Sequence, residues 1–211
     1  MLSAHLRAAF AVVLLAAFSA APATAGNRSV AAVERPSLGA ADAPVVIVVF
    51  SDYQCTFCKA FFVERLPEIK RDFIDTGKVR LVSRDFPLPR HPRARPAAMA
   101  AACADRQDHY WDMHEILFAH QDRFSDQQLN GYAGELGLDA EAFAGCLADP
   151  AVEARIDEDL AEVRRARISG TPAFLIGTEQ DGIISGTLIT GFQPASVYAA
   201  EIREYLDRDT E

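Results

Sequence analysis

The 211-residue chain lacks the features of several large classes of protein. It has no long basic run and carries a formal net charge of −9 at pH 7, which argues against nucleic acids and anionic membrane surfaces as partners. Beyond the first 21 residues, no apolar segment approaches the length of a membrane-spanning helix. The chain also contains no internal repeat.

Metal-binding patterns are missing as well. A structural zinc site would need a second pair of ligands, but the four cysteines include a single Cys-x-x-Cys pair. His114 does not begin a His-Glu-x-x-His motif, because Phe118 stands where the second histidine would be. We therefore predict no metal site and no cofactor.

The first 25 residues have the pattern of a secretory signal peptide. Arg7 precedes an apolar stretch over residues 8–21, and Ala23-Thr24-Ala25 forms a small-x-small cleavage site. As a helix this stretch would span about 21 Å, less than the ~30 Å of a hydrocarbon core, although an uncleaved anchor is the competing interpretation. We expect cleavage after Ala25 and a periplasmic location, where disulfides persist.

The mature chain reads as an α/β domain interrupted by helices. Residues 26–44 are expected to form an irregular leader. An apolar, β-branched run at 45–50 predicts a strand buried on both faces, and a helix with a kink or break at Pro67 follows it. A second strand at 78–86 completes a βαβ unit.

The rest of the pattern divides one sheet domain into two parts. Residues 93–167 contain helical patterns alone, which predicts an inserted helical subdomain between the sheet segments 45–92 and 168–211. The second segment opens with a strand at 173–177. It continues with a hairpin whose turn we place at Ser185-Gly186, and a final helix.

Cys55 and Cys58 lie where the first buried strand turns into a helix. A cysteine at a helix N-terminus is favoured as the thiolate, the form that attacks. We predict that Cys55 is the nucleophile and Cys58, one turn further on, its resolving partner, with Thr56 and Phe57 tuning the thiolate. The competing interpretations are a zinc site and a purely structural disulfide.

Thr171-Pro172 precedes the strand at 173–177. Proline cannot donate to a strand ladder, and X-Pro bonds adopt cis more readily than others. A cis bond would turn the Thr171 backbone toward an extended substrate held across the dithiol. The plainer alternative is an ordinary turn proline.

With these motifs in place, the chain resembles the DsbA-type thiol–disulfide oxidoreductases of the thioredoxin-fold superfamily. The resemblance rests on Phe-Ser-Asp-Tyr-Gln-Cys at 50–55 and Ser-Gly-Thr-Pro at 169–172. It extends to segments of the helical insertion at 102–104, 110–114, 117–118, 137–139 and 143–147. It implies a thioredoxin fold with an inserted helical subdomain, Cys55 and Cys58 as the catalytic pair, and Thr171 with cis-Pro172 at the substrate.

The same resemblance implies a second disulfide between Cys103 and Cys146, the alternative being two inert thiols. The chain departs from the family pattern at two positions. Thr56 stands where relatives often have proline, and Val49 where they often have a buried glutamate that can accept a proton.

The expected function is that of a monomeric periplasmic oxidoreductase that introduces disulfides into exported, unfolded proteins. A membrane redox partner would reoxidise it. The alternatives are a reductase or isomerase of the same fold, or a thiol-dependent holdase or copper chaperone. A dimeric isomerase would need a domain ahead of the first strand, where the sequence places residues 26–44 alone.

Overall fold

The computed structural model describes residues 27–208, so the predicted signal peptide at 1–25 lies outside the described residues. Six strands form one sheet in the order β1-β6-β5-β3-β4-β2, with β3 and β4 parallel and the other neighbours antiparallel. The strands are β1 (Asn27–Ala31), β2 (Ser37–Leu38), β3 (Val45–Ser51), β4 (Val79–Asp85), β5 (Ala173–Gln180) and β6 (Ile183–Thr190).

The helical run after β3 continues through Pro67. It consists of α1 (Thr56–Ala60), a π-helical turn (Phe61–Arg65), α2 (Leu66–Ile69) and a second π-helical turn (Lys70–Ile74). Pro67 lies at the start of α2, directly after the first π-helical turn. The π-helical turns replace the helix break that was predicted at Pro67. A π-helical turn shifts the backbone hydrogen-bond pattern by one residue, so the helix can continue past the proline.

Five helices lie between β4 and β5, and one follows β6. They are α3 (Ala94–Asp105), α4 (Tyr110–Ala119), α5 (Asp126–Glu135), α6 (Ala140–Leu147), α7 (Pro150–Arg165) and α8 (Ala195–Arg208). Side chains stabilise several of their N-termini. Ser125 and Gln128 form a capping box on α5, and Asp139 is the N-cap of α6, where its side chain accepts from Ala142 N.

The sheet carries a core on each face. All seven residues of β3 are buried, as expected for a central strand. Val45, Ile47 and Val49 pack with α1, α2, α8 and most of the insertion, whereas Val46 and Val48 pack on the other face with the end of α7. Within residues 27–208, no helix is long and apolar enough to cross a membrane.

The prediction of an irregular leader at 26–44 was wrong. Residues 27–31 form the edge strand β1, paired with β6, and Ser37–Leu38 form β2, paired with β4. Val30 is the one fully buried residue of β1. An edge strand this polar has no apolar alternation in its sequence, and it forms because β6 offers a free ladder of backbone groups.

The predicted hairpin turn at Ser185-Gly186 was also wrong. Strand β6 runs straight through these residues, and the turn lies at Asp181-Gly182, where both residues have positive φ as a type I′ turn requires. Gly186 instead allows β6 to lie close to β5. It lies opposite Gly177, and a Cβ at Gly186 would come within 2.0 Å of the Ile176 carbonyl oxygen.

Candidate active site

The sheet register brings the dithiol and the proline loop together. Phe50 of β3 pairs with Ala173 of β5, so the residues just after β3 and just before β5 lie at the same end of the sheet. Cys55 is the N-cap residue of α1, and Cys58 lies inside that helix. The Thr171–Pro172 peptide bond is cis. The Cys55 sulfur lies 3.6 Å from the Thr171 carbonyl oxygen, to which it donates when protonated.

The two thiols, which are not bonded to each other, have opposite electrostatic environments. A hydrogen bond from the Cys58 thiol lowers the pKa of Cys55 to about 5 against the opposing effect of burial, with further contributions from Thr171 and the backbone at Cys58 and Phe57. Burial, and then the Cys55 side chain, raise the pKa of Cys58 far above its usual value. At neutral pH, Cys55 is therefore the thiolate and Cys58 holds the proton.

The origin of this asymmetry differs in part from the sequence prediction. The helix N-terminus was expected to stabilise the Cys55 thiolate, yet the largest effect comes from the Cys58 thiol. The side chains of Thr56 and Phe57 are exposed, and Phe57 acts on the sulfur through its backbone. The Lys59 ammonium donates to the Ala119 carbonyl oxygen at the end of α4.

The Thr171 side chain completes the surroundings of the dithiol. Its hydroxyl lowers the pKa of both cysteines. It is buried and has no other hydrogen-bond partner in the described part of the chain. Both the carbonyl and the hydroxyl of Thr171 therefore face the sulfurs.

The other two cysteines are bonded to each other within the helical segment. The Cys103 and Cys146 sulfurs are 2.07 Å apart, and the bond joins α3 to α6. This bond belongs to the core of the insertion, because both residues are buried.

Contacts from distant segments hold the turn that carries Cys55, and no sequence pattern predicted them. The Gln121 amide donates to the carbonyl oxygens of Tyr53 at 2.7 Å and of Cys55 at 2.9 Å. The Arg93 backbone N–H donates to the Gln54 amide oxygen at 2.8 Å. The helical insertion thus holds the segment that leads into the nucleophile, from Tyr53 to Cys55.

A buried polar chain lies beside Val49, the position where an acidic residue is missing. Val49 pairs in register with Ser83 of β4. The Tyr110 hydroxyl donates to Ser83 Oγ at 2.8 Å, and the Tyr53 hydroxyl donates to Tyr110 at 3.3 Å. Asp85 lies two residues further along the same face of β4. Burial, followed by the charge of Asp159, raises the pKa of Asp85 to about 7.

Asp85 should make stability fall as the pH rises. The folded protein keeps the Asp85 proton up to about pH 7, whereas the unfolded chain releases it near ~3.9. We expect Asp85→Asn to be about 4 kcal/mol more stable than the wild type at pH 8, the size of about three pKa units, and nearly equally stable at pH 4. Urea unfolding at both pH values measures this.

Asp42→Asn is the matched control, because Asp42 is exposed. The substitution should change the unfolding free energy by less than about 0.5 kcal/mol, as is usual at an exposed site. An Asp85→Asn variant that loses stability at pH 8 would show that the charge of Asp85 is needed in the fold.

Comparison with known proteins places this geometry in a family. The family model described as Thioredoxin matches residues 31–182. The probable disulfide bond formation protein D of Bacillus anthracis is 28% identical over 159 residues, which cover 72% of this chain and 73% of that protein. The crystal structure of Wolbachia pipientis α-DsbA1 superimposes with a TM-score of 0.69 at 26% identity, covering 82% of this chain and 90% of that one.

Relatives of a different name share the same segment. The Na⁺/H⁺ antiporter NhaA 3 of Salinispora tropica is 37% identical over 139 residues, which cover 65% of this chain. The chain spans 21% of the length of that antiporter. The similarity therefore concerns one part of a much longer protein.

The family model and the solved structure confirm the predicted α/β fold class and the predicted resemblance. The chain belongs to the thioredoxin family and has the fold of the DsbA-type thiol–disulfide oxidoreductases.

Proposed function

We propose that the chain is a periplasmic thiol–disulfide oxidoreductase that passes the Cys55–Cys58 disulfide to exported proteins. The observation that carries the proposal is the pairing of Cys55, at the N-cap of α1 and 5% exposed, with the fully buried Cys58. The Cys55 sulfur can therefore react with a substrate, whereas the Cys58 sulfur can react only with Cys55. A structural disulfide has no need of such a difference between its two cysteines.

The exchange proceeds in two balanced steps. A substrate thiolate attacks the Cys55 sulfur of the disulfide, forms a mixed disulfide and releases Cys58, which takes up a proton. A second substrate thiolate then attacks the substrate sulfur of the mixed disulfide and releases Cys55 as a thiolate. Two electrons pass from the substrate to the dithiol, and the substrate gains one disulfide.

The surface beside Cys55 suits an unfolded polypeptide. Phe57 is 60% exposed and offers an apolar contact next to the nucleophile. On the other side, Thr171 and Pro172 present backbone at the start of β5. We propose that a substrate chain lies across these two features, with its cysteine sulfur at Cys55.

The proposed cycle needs a partner that restores the disulfide. We propose a membrane redox protein that removes two electrons from Cys55 and Cys58, with the chain acting as a monomer. No cofactor is needed for the exchange itself, because both steps are thiolate substitutions at sulfur.

The reduction potential of the dithiol tests the direction of electron flow. A low Cys55 pKa stabilises the reduced form, at ~30 mV per ~1.4 kcal/mol. A pKa of about 5 lies between the ~7 of thioredoxin and the ~3.5 of DsbA, whose potentials are ~−270 mV and ~−120 mV. We therefore expect about −190 mV from equilibration in glutathione buffers, with alkylation and mass spectrometry to identify the thiols.

The outcomes separate the candidate functions. A potential near ~−270 mV would reverse the direction of electron flow and favour a reductase. Protection of substrate proteins from aggregation that survives Cys55→Ser would favour the holdase alternative, whereas copper binding that is lost in Cys55→Ser would favour the copper-chaperone alternative. Among residues 27–208, no group of three or more His, Cys, Asp and Glu side chains is arranged to hold a metal ion.

A further inference from the structure

A buried carboxylate lies directly ahead of the dithiol and has a histidine partner. The Asp52 side chain is 0% exposed. One of its oxygens accepts from Gln54 N at 2.7 Å. The other accepts from Leu88 N at 2.7 Å and from His91 Nδ1 at 2.8 Å. A carboxylate accepts, so His91 Nδ1 carries the hydrogen in this bond.

The backbone of Asp52 reaches both cysteines. Its carbonyl oxygen accepts from Cys55 N at 3.0 Å. A hydrogen bond with its backbone lowers the pKa of Cys58, against the larger effect of burial. A shift of the Asp52 backbone would therefore disturb its bonds with both cysteines.

The His91 bond ties this turn to another part of the fold. Leu88 and His91 belong to the connection between β4 and α3, and His91 N donates to the Leu88 carbonyl oxygen at 2.9 Å. The connection is thus a compact turn that presents two donors to one carboxylate oxygen. Loss of the His91 donor would leave a buried charge with part of its hydrogen bonding unmet, which favours movement of the carboxylate and the turn attached to it.

We propose that His91 is a positioning residue for the dithiol, holding the Asp52 carboxylate and through it the turn that carries Cys55. The inference rests on the proposed thiol–disulfide exchange. His91 touches neither sulfur in the contacts described above and acts through Asp52. Its side chain is 20% exposed, so it lies at the edge of the site.

A second histidine–aspartate pair provides the matched control. His109 Nδ1 bonds Asp112 at 2.7 Å on α4, with side chains 42% and 59% exposed. The distance resembles that of the His91–Asp52 bond, but the pair is solvated and holds no turn of the active site. Loss of such an exposed pair costs little.

The test compares two variants of nearly equal shape. His91→Asn keeps a donor near Asp52, and His91→Leu removes it. The readouts are the rate of reaction of reduced protein with oxidised glutathione and the pH midpoint of Cys55 alkylation. We expect His91→Leu to react about tenfold more slowly with a shifted midpoint, His91→Asn to stay within about threefold of the wild type, and His109→Ala to match it.

Equal rates and midpoints for His91→Leu and the wild type would overturn the proposal. So would equal losses in folded His91→Leu and His91→Asn, since shape would then matter and the donor would not. If His91→Leu fails to fold, His91→Ala with added imidazole supplies the test, and no recovery of the rate on adding imidazole would refute the role. The alkylation midpoint needs no substrate protein, so it stays informative even if the measured potential contradicts the oxidase function.

Discussion

Replacing Cys55 with serine is expected to lower disulfide exchange more than about a thousandfold, as loss of a nucleophile does in other enzymes. Cys55 is the thiolate at neutral pH, because its pKa is lowered to about 5, chiefly by the hydrogen bond from the Cys58 thiol. A serine hydroxyl in the same place stays protonated, and Cys58 is fully buried and cannot replace it. Oxidation of a reduced, unfolded test protein measures the loss.

Cys58→Ser is the matched control for this prediction. The nucleophile remains, but the partner that resolves the mixed disulfide is gone. With a test protein that already carries a disulfide, the Cys55 thiolate should attack that disulfide, release one of its sulfurs as a thiolate, and accumulate as a mixed disulfide. A non-reducing gel shows this adduct. Measurable turnover by Cys55→Ser, or an adduct formed through Cys58, would contradict the assigned roles.

Removal of the Cys103–Cys146 bond is expected to cost about 4 kcal/mol of unfolding free energy, because the 43-residue separation leaves a long loop free in the unfolded chain. The bond joins α3 to α6 across the core of the insertion, so the helices around it should lose protection first. The variant Cys103→Ala/Cys146→Ala, unfolded in urea, gives the value.

The measurement is cleanest with Cys55 and Cys58 both replaced by serine, because no thiol can then reshuffle the remaining bond. The same serine background with Cys103–Cys146 intact is the control. A loss below about 1 kcal/mol would mean that contacts around α3 and α6 hold the insertion without the cross-link.

The sequence was most informative where local chemistry and burial agree. A continuous apolar run can satisfy its backbone groups in the centre of a sheet, and β3 lies there with every residue buried. The Cys-x-x-Cys pair follows that strand at the start of a helix, as predicted. The segment 93–167, in which the sequence shows helical patterns alone, contains α3 to α7 and no strand, because apolar spacing is a local signal.

What the sequence could not show depends on partners far along the chain. The edge strand β1 exists because β6 lies beside it, and nothing in residues 27–31 indicates that pairing. The hairpin turn, by contrast, could have been placed from the local sequence, because Asp181-Gly182 is a typical type I′ turn pair. The burial of Asp85 and the hydrogen bond between His91 and Asp52 both depend on segments that are far apart in the sequence.

The hydrogen bonds from the helical insertion to Tyr53 and Cys55 matter for protein engineering. Gln121, just past the end of α4, and Arg93, just before α3, bond the backbone and side chain of residues 53–55. A chimera that grafts the Cys-x-x-Cys segment onto a thioredoxin scaffold without these helices would receive the residues but lose the donors that shape them. A graft should therefore include the Cys-x-x-Cys segment together with α3 and α4. Exchanging these two helices between homologues should change the reactivity of the dithiol without altering the four residues of the Cys-x-x-Cys motif.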